Sequence, residues 1–170
     1  MSAPRLNRKV HRIVALVSAV PFLLILLTGL FLQLKKDVSW IQPATRSGSG
    51  DAPVISFEQV LDAARGVPEA EVESWSDVDR LDVRPDRGLI KVRARNRWEV
   101  QVDAQSGEVL QVAYRRSDLI ESLHDGSWFH DRVKLWVFLP VAVLLLGLWG
   151  TGVYLWLLPH LVRRRRRREA

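Results

Sequence analysis

The chain of 170 residues contains no cysteine. This absence excludes disulfide bonds, cysteine-ligated iron–sulfur clusters, covalently attached c-type haem and thiol catalysis within the chain. Charge is also absent from two long stretches, Ile13 to Leu34 and Leu135 to Leu158. The mean hydropathy of the whole chain is close to zero although 48% of its residues are hydrophobic. The apolar residues are therefore concentrated in two blocks.

Each uncharged block is longer than the roughly 20 residues that an α-helix needs to cross the hydrocarbon core of a bilayer. Neither block confines its polar residues to one face, as an amphipathic helix of a soluble protein does. The first block is too long for a signal-peptide core and lacks a small-residue cleavage site, and a domain this small would not enclose the second block as a core helix. The sequence predicts two transmembrane helices, residues 13–34 and 133–158.

Basic residues flank the two blocks on their outer sides. Four precede the first block, and the run Arg163–Arg168 follows the second. Because short basic segments stay in the cytoplasm, both tails (residues 1–12 and 159–170) are expected there, in a bacterial inner membrane. The arginine run is interpreted as a topological signal and a contact for anionic lipids. It lacks the folded basic surface or interleaved aromatics that nucleic-acid binding requires.

The loop between the blocks combines a helical pattern with alternating ones. Residues 35–55 include a stretch rich in Gly, Ser and Pro, which predicts a flexible linker. A helix is expected to begin after Ser56, a good N-cap, and to end at Gly66. Alternating runs that follow it, separated by turns, predict antiparallel strands. Residues 56–116 are thus expected to form one helix on a sheet, and residues 117–132 a return segment with a short helix.

The alternation also predicts that the second face of the sheet is solvated. Lys91, Arg93 and Arg95 lie on that face near Glu99 and Asp103. Opposite charges on neighbouring strands commonly form cross-strand ion pairs. We interpret this group as ion pairs rather than as a ligand site.

Four histidines lie near the ends of the apolar blocks. In the predicted topology His11 and His160 lie at the cytoplasmic boundary, and His124 and His130 at the opposite boundary. A b-type haem needs axial ligands at matching depth from different helices, and a homodimer would supply a symmetry-related histidine within a four-helix bundle. The alternative interpretation is that each histidine is a solvated interfacial residue.

No catalytic motif is found in the sequence. It has no nucleophile elbow, no phosphate-binding loop and no zincin spacing of histidines. The apolar blocks contain no acid or base that would serve a proton relay. The His-Asp pairs at 124–125 and 130–131 combine residue types that ligate metals, but they do not have the spacing of a zincin-type helix. The sequence therefore predicts neither catalytic residues nor a metal site.

Small residues recur at helical spacing in both blocks. Ala15 and Ala19 are four apart in the first block, as are Gly147 and Thr151 in the second. Such spacing allows close helix packing in membranes. We expect these faces to pack within the hairpin or between copies of the chain.

The order of several short motifs resembles that of PepSY-associated transmembrane proteins. The motifs are Arg8-Lys9-Val10-His11-Arg12, Thr28-Gly29, Val102–Val109, Ser122–Gly126 and Thr151-Gly152. The resemblance covers nearly the whole chain. It implies a membrane α+β fold, a two-helix transmembrane hairpin with an inserted extracytoplasmic PepSY-like helix-on-antiparallel-sheet domain.

The resemblance implies two functions. The first is a membrane accessory protein that presents its PepSY-like domain to another membrane or periplasmic protein, protease control included, with no catalysis of its own. The second is an electron carrier that binds haem b and is linked to iron or siderophore reduction, as a dimer or a complex subunit. Its ligand candidates are His11, His124, His130 and His160. Because the apolar blocks contain no ligands, the sequence ranks the accessory role first.

Overall fold

The computed structural model describes the backbone of residues 3–169 and the side chains of residues 12–154, 156 and 157. Two compact units are present, one formed by Met1–Gly29 with Ser122–Ala170 and the other by Leu30–Glu121. The helices are α1 (Ala3–Gln33), α2 (Phe57–Arg65), α3 (Arg116–Asp125), α4 (Asp131–Val133) and α5 (Leu139–Glu169). The strands are β1 (Val78–Arg84), β2 (Leu89–Ala94), β3 (Trp98–Asp103) and β4 (Val109–Tyr114).

Two helical stretches are long and apolar enough to span a membrane, as the sequence predicts. They are Arg12–Gln33, with a mean hydropathy of 2.6, and Asp131–Tyr154, with 2.0. Only 11% of each stretch is buried within the protein. An uncovered apolar surface of this length is stable against lipid rather than against water. A π-helical turn, Lys134–Phe138, joins α4 to α5 inside the second stretch.

The helix α2 forms where its capping residues predict. Ser56 accepts a hydrogen bond from the Gln59 backbone, and the Gln59 side chain accepts one from the Ser56 backbone. This reciprocal pair satisfies two donors that a helix start otherwise leaves unpaired. Val60, Leu61 and Ala64 then form the buried stripe of α2. The cap and the stripe together position α2 on the sheet.

The sheet is antiparallel and its strands follow one another in the order β1-β2-β3-β4. Val92 lies opposite Val100, and Ile90 lies opposite Val102. These four side chains form the apolar face, which packs with α2 in the hydrophobic core. The predicted helix-on-sheet arrangement is present.

The second face of the sheet is covered, which corrects the expectation of a solvated face. Lys91 is 2% exposed, and Glu99 and Gln101 are fully buried. Residues 41–49, part of the predicted flexible linker, lie across these side chains and are called here the covering segment. The Gln101 side chain donates to the Ala44 carbonyl (3.0 Å) and accepts from the Arg46 amide (2.8 Å). The composition of this segment indicates flexibility, but its backbone groups satisfy the polar side chains of the sheet.

Glu99 is the centre of the buried charges on this face. Its carboxylate accepts hydrogen bonds from Arg115 (2.5 Å) and from Gln101 (2.8 Å), and the Lys91 ammonium lies 3.4 Å away. Arg93 stands opposite Glu99 in the register, so the predicted ion pairing around Glu99 is present. Arg115 was not expected to take part, because it lies outside the alternating strands.

Asp103 is held by hydrogen bonds at the end of the same face. Its carboxylate accepts from the Ser49 amide and hydroxyl and from the amides of Gln105 and Ser106. Burial alone would raise the pKa of Asp103, but these hydrogen bonds lower it to about 2. Gly48 lies directly against the backbone of Gly88, where a Cβ would collide with the Gly88 carbonyl. Asp103 and the two glycines thus fix the end of the covering segment.

Candidate functional site

His124 lies in the last turn of α3 and is half-buried. Its Nδ1 is 3.0 Å from Oγ1 of Thr28, a residue near the end of α1 that is 6% exposed. A Cβ on the neighbouring Gly29 would lie 3.4 Å from the ring carbon Cε1 of His124. The Thr28-Gly29 pair therefore forms the surface that the imidazole contacts. The motifs Thr28-Gly29 and Ser122–Gly126 are both recognisable in the sequence, but their contact is not predicted by it.

The hydrogen bonds of Thr28 determine which ring nitrogen of His124 carries the proton. A hydroxyl has one hydrogen to donate. Thr28 Oγ1 lies 2.5 Å from the Leu24 carbonyl and 3.2 Å from the Ile25 carbonyl, so it donates to the preceding helical turn. Its oxygen then accepts from Nδ1–H of His124. In this neutral tautomer, Nε2 of His124 carries the lone pair that a metal ion binds.

The hydrogen bonding of His130 is the opposite of that of His124, because its Nδ1 accepts a hydrogen bond. It is exposed, and it is the N-cap of α4, where its Nδ1 accepts a hydrogen bond from the Arg132 amide at 3.1 Å. In its neutral form the hydrogen is therefore on Nε2, and the lone pair already serves the helix end. The geometry assigns His130 a structural role in this conformation.

The side chains of His11 and His160 lie outside the described residues. The backbone of α1 is one helix from Ala3 to Gln33, so the 17 positions between His11 and Thr28 correspond to about 26 Å along its axis. A single haem is far smaller than that separation. Within one chain, His11 and the Thr28 contact thus lie at different levels of α1.

Asp125 follows His124 in the sequence, and its hydrogen bonds hold the turn after α3 in place. Its carboxylate accepts from the Ser127 amide (3.0 Å) and from the Lys134 ammonium (2.7 Å). Burial alone would raise the pKa of Asp125, but hydrogen bonds from Lys134 and Ser127 lower it to about 2. Gly126 has a φ of 82° and lies against the Phe138 ring, so that a Cβ would not fit. Asp125 therefore orients the turn after His124.

The described side chains contain no cluster of three or more His, Asp or Glu residues that could hold a metal ion. The two described histidines are thus not part of a metal-binding cluster within the described side chains of one chain. A six-coordinate haem iron needs two axial ligands, so the described side chains of one chain would not complete such a site through His124 alone.

The small-residue face predicted on the second span is uncovered. In the described part of the chain, no atom outside the helix backbone lies within 4 Å of a Cβ placed on Gly147, Gly150 or Gly152. Thr151 donates to the carbonyls of Gly147 and Leu148 in its own helix. In the first span, Ser18 is 1% exposed. Packing of these faces between copies stays a prediction.

Comparison with known proteins identifies the family of the chain. Neither the curated proteins nor the solved structures include a match to this chain. The family model described as "PepSY-associated TM region" matches residues 8–170, a range that contains all four histidines and both Thr-Gly pairs. The predicted family is confirmed: the chain belongs to the family of PepSY-associated transmembrane regions.

Proposed function

We propose that this membrane protein binds haem b through Nε2 of His124 and carries electrons, as a homodimer or as a subunit of a complex linked to iron reduction. The observation that supports it is the hydrogen bond between His124 Nδ1 and Thr28 Oγ1. The sequence ranked an accessory role first because the apolar blocks contain no ligands. The contact with Thr28 reverses that ranking, since it orients a ligand at the end of one span.

The donor set of His124 fits a haem ligand. Histidines that bind metals nearly always donate their other ring N–H to a fixed acceptor, which sets the tautomer and the ring orientation. Thr28 is such an acceptor, and its own proton is committed to the Leu24 carbonyl. Gly29 allows the ring to approach α1 closely. In the neutral imidazole these residues favour the tautomer with the hydrogen on Nδ1, which leaves the lone pair on Nε2.

The second axial ligand is proposed to come from another copy of the chain. His124 of that copy would lie at the same depth, and a four-helix bundle would form from two hairpins. The uncovered glycines of α5 allow such an approach. When bound, haem would supply a one-electron couple at the membrane boundary. The chain would contribute the ligand and, through Thr28, its tautomer and ring orientation.

The test compares absorption spectra of the full-length protein produced with ample haem. The wild type is expected to show a Soret band, and His124→Ala is expected to lose most of it. His130→Ala is the matched control, because it removes an imidazole from the same boundary without removing the Thr28 contact. Thr28→Val is expected to retain haem at reduced occupancy, by about tenfold weaker binding. A colourless wild type that is folded and dimeric, or equal loss in both histidine variants, would contradict the proposal.

A second candidate function is the accessory role, in which the PepSY-like domain binds another protein. An exposed apolar patch favours it: Phe57 is 67% exposed and Trp75 is 42% exposed, and their rings contact each other edge to face. Val54 nearby in sequence is 64% exposed. Exposed aromatic side chains are typical anchors of protein interfaces.

This role is tested by photo-crosslinking in cells. A photoreactive residue replacing Phe57 is expected to yield a discrete adduct with another protein, whereas one replacing the exposed Arg80 is not. If both positions give the same adducts, or neither gives any, the accessory role through this patch is wrong.

The orientation of the protein also belongs to the proposal. Both termini are proposed to lie in the cytoplasm of a bacterial inner membrane, because the basic residues flank the spans on their outer sides. Because the chain contains no cysteine, a thiol reagent can label only the cysteine that is introduced. A membrane-impermeant thiol reagent is expected to label Ser47→Cys in intact spheroplasts and to leave Ser2→Cys unlabelled until the membrane is opened. The reverse pattern would overturn the orientation.

A further inference from the structure

A cationic pocket of about 290 Å³ lies in the unit Leu30–Glu121, between the end of α1, the covering segment and the first two strands. Its charged lining consists of five cations and one carboxylate: Lys35, Lys36, Arg84, Lys91, Arg93 and Asp82. The walls between them come from the covering segment, where Pro43 and Thr45 lie. The volume is sufficient for a phosphate group with part of its ester substituents.

The carboxylates near this pocket are already engaged. Asp82 accepts two hydrogen bonds from Arg84, both of 2.9 Å. Lys35 is paired with Glu121 at 2.6 Å. Glu99 is fully buried and its oxygens accept from Arg115 and Gln101, so it does not line the cavity. The pocket therefore keeps an excess of positive charge after its acids are paired.

Arg93 has hydrogen-bonding capacity that the described residues leave unused. Its Nε is buried and has no hydrogen-bond partner in the described part of the chain. The nearest carboxylate atoms are those of Asp82, 3.9 Å from Nη2, and of Glu99, 4.0 Å from Nε. Both distances exceed that of a hydrogen bond. Because Arg93 lines the pocket and neither of these carboxylates hydrogen-bonds it, its guanidinium charge is available to an anion there.

Lys91 adds a second buried cation. Its side chain is 3% exposed, and its Nζ donates to Thr45 Oγ1 at 2.8 Å. Burial lowers the pKa of the Lys91 ammonium group, and the nearby Glu99 carboxylate offsets this only in part. An anion bound beside Lys91 would favour its charged form.

The pocket begins directly after a candidate membrane span. That span ends at Gln33, and Lys35 and Lys36 are the first cations that follow it. Phospholipid phosphates lie at this boundary, where basic residues next to a span attract anionic headgroups. We propose that this pocket binds a phosphate group, and that the phosphate belongs to the headgroup of an anionic phospholipid. The site is independent of haem binding by His124.

The test measures lipid binding to the full-length protein in detergent by native mass spectrometry. The wild type is expected to bind phosphatidylglycerol at least tenfold more tightly than phosphatidylcholine. Arg93→Gln removes the guanidinium charge from the pocket and is expected to abolish that preference. Lys36→Gln, at an exposed position, is expected to reduce it several-fold. Arg80→Gln is the matched control, because it removes one exposed cation of the same domain outside the pocket.

Two further results would overturn the proposal. If Arg80→Gln weakens phosphatidylglycerol binding as much as Lys36→Gln, the preference is a diffuse charge effect and not a site. If both pocket variants keep the wild-type preference, the pocket does not bind the headgroup. A separate arm measures inorganic phosphate by equilibrium dialysis. Phosphate binding without any preference between the two lipids would assign the pocket to a soluble anion and exclude the lipid source.

Discussion

The two faces of the four-stranded sheet are both buried, but by different interactions. On the apolar face, valines and Ile90 pack against α2. On the polar face, Lys91, Glu99 and Gln101 lie under the covering segment. An apolar side chain needs only removal from water, whereas a buried charge needs specific partners. The apolar face therefore depends on the volume of its side chains, and the polar face depends on the completeness of its hydrogen bonds.

The largest effect is expected at the centre of the polar face. Glu99→Ala leaves Arg115 and Lys91 buried without their carboxylate, which costs about 3–5 kcal/mol of domain stability. Hydrogen–deuterium exchange of the full-length protein in detergent measures this loss as faster exchange of β2 and β3. The control is Glu108→Ala, which removes an exposed acid from the adjacent turn. Unchanged protection of both strands in Glu99→Ala would mean that the buried charges do not support the sheet.

A smaller effect is expected on the apolar face. Val100 is fully buried, and Val100→Ala removes two methyl groups at a cost of about 2 kcal/mol. The same exchange measurement applies, with Val83→Ala as the control because Val83 is 41% exposed. The comparison of the faces would fail if Val100→Ala destabilised the strands more than Glu99→Ala.

The polar face should also respond to acid. The pKa of Asp103 is lowered to about 2 in the folded protein, against about 4 when unfolded. Its contribution is therefore complete above pH 4 and is lost as the pH falls through 2. Asp103→Asn is expected to cost about 1–2 kcal/mol at pH 7. Unfolding measured across this range should show the variant and the wild type converging near pH 2, and a constant difference would contradict the assignment.

The smallest effect is expected at the hydroxyl of Ser49. Ser49→Ala removes its side-chain hydrogen bond to Asp103 and keeps the backbone one, at a cost of about 1 kcal/mol. The readout is faster exchange confined to the amides of residues 44–49. Ser47→Ala, two residues earlier and exposed, serves as control. Equal exchange in the two variants would show that this hydroxyl does not hold the segment.

Local features of the fold could be predicted from the sequence. The cap at Ser56 and the alternation in β2 and β3 involve residues within a few positions of each other, and both were predicted. The cover of the polar face could not be predicted, because Gln101 finds its partners at Ala44 and Arg46, more than 50 residues away. A segment rich in Gly and Ser also carries no apolar pattern that would indicate where it packs.

In the candidate site, too, local features could be predicted from the sequence and long-range contacts could not. The predicted position of His124 near the end of a membrane span follows from the apolar blocks alone. Its partner Thr28 is 96 residues away in sequence, so the contact requires the structure. The capping role of His130 was also missed, because histidine is not among the residues that usually cap a helix.

The order of the strands has a consequence for how the domain folds. Each strand pairs with its neighbour in sequence, so every hairpin closes a short loop and can form quickly. The hydrogen bonds between the covering segment and the sheet instead join residues 46 to 57 positions apart. The sheet should therefore assemble first, with Lys91 and Glu99 still hydrated. The covering segment attaches last, and that final step removes water from the buried charges.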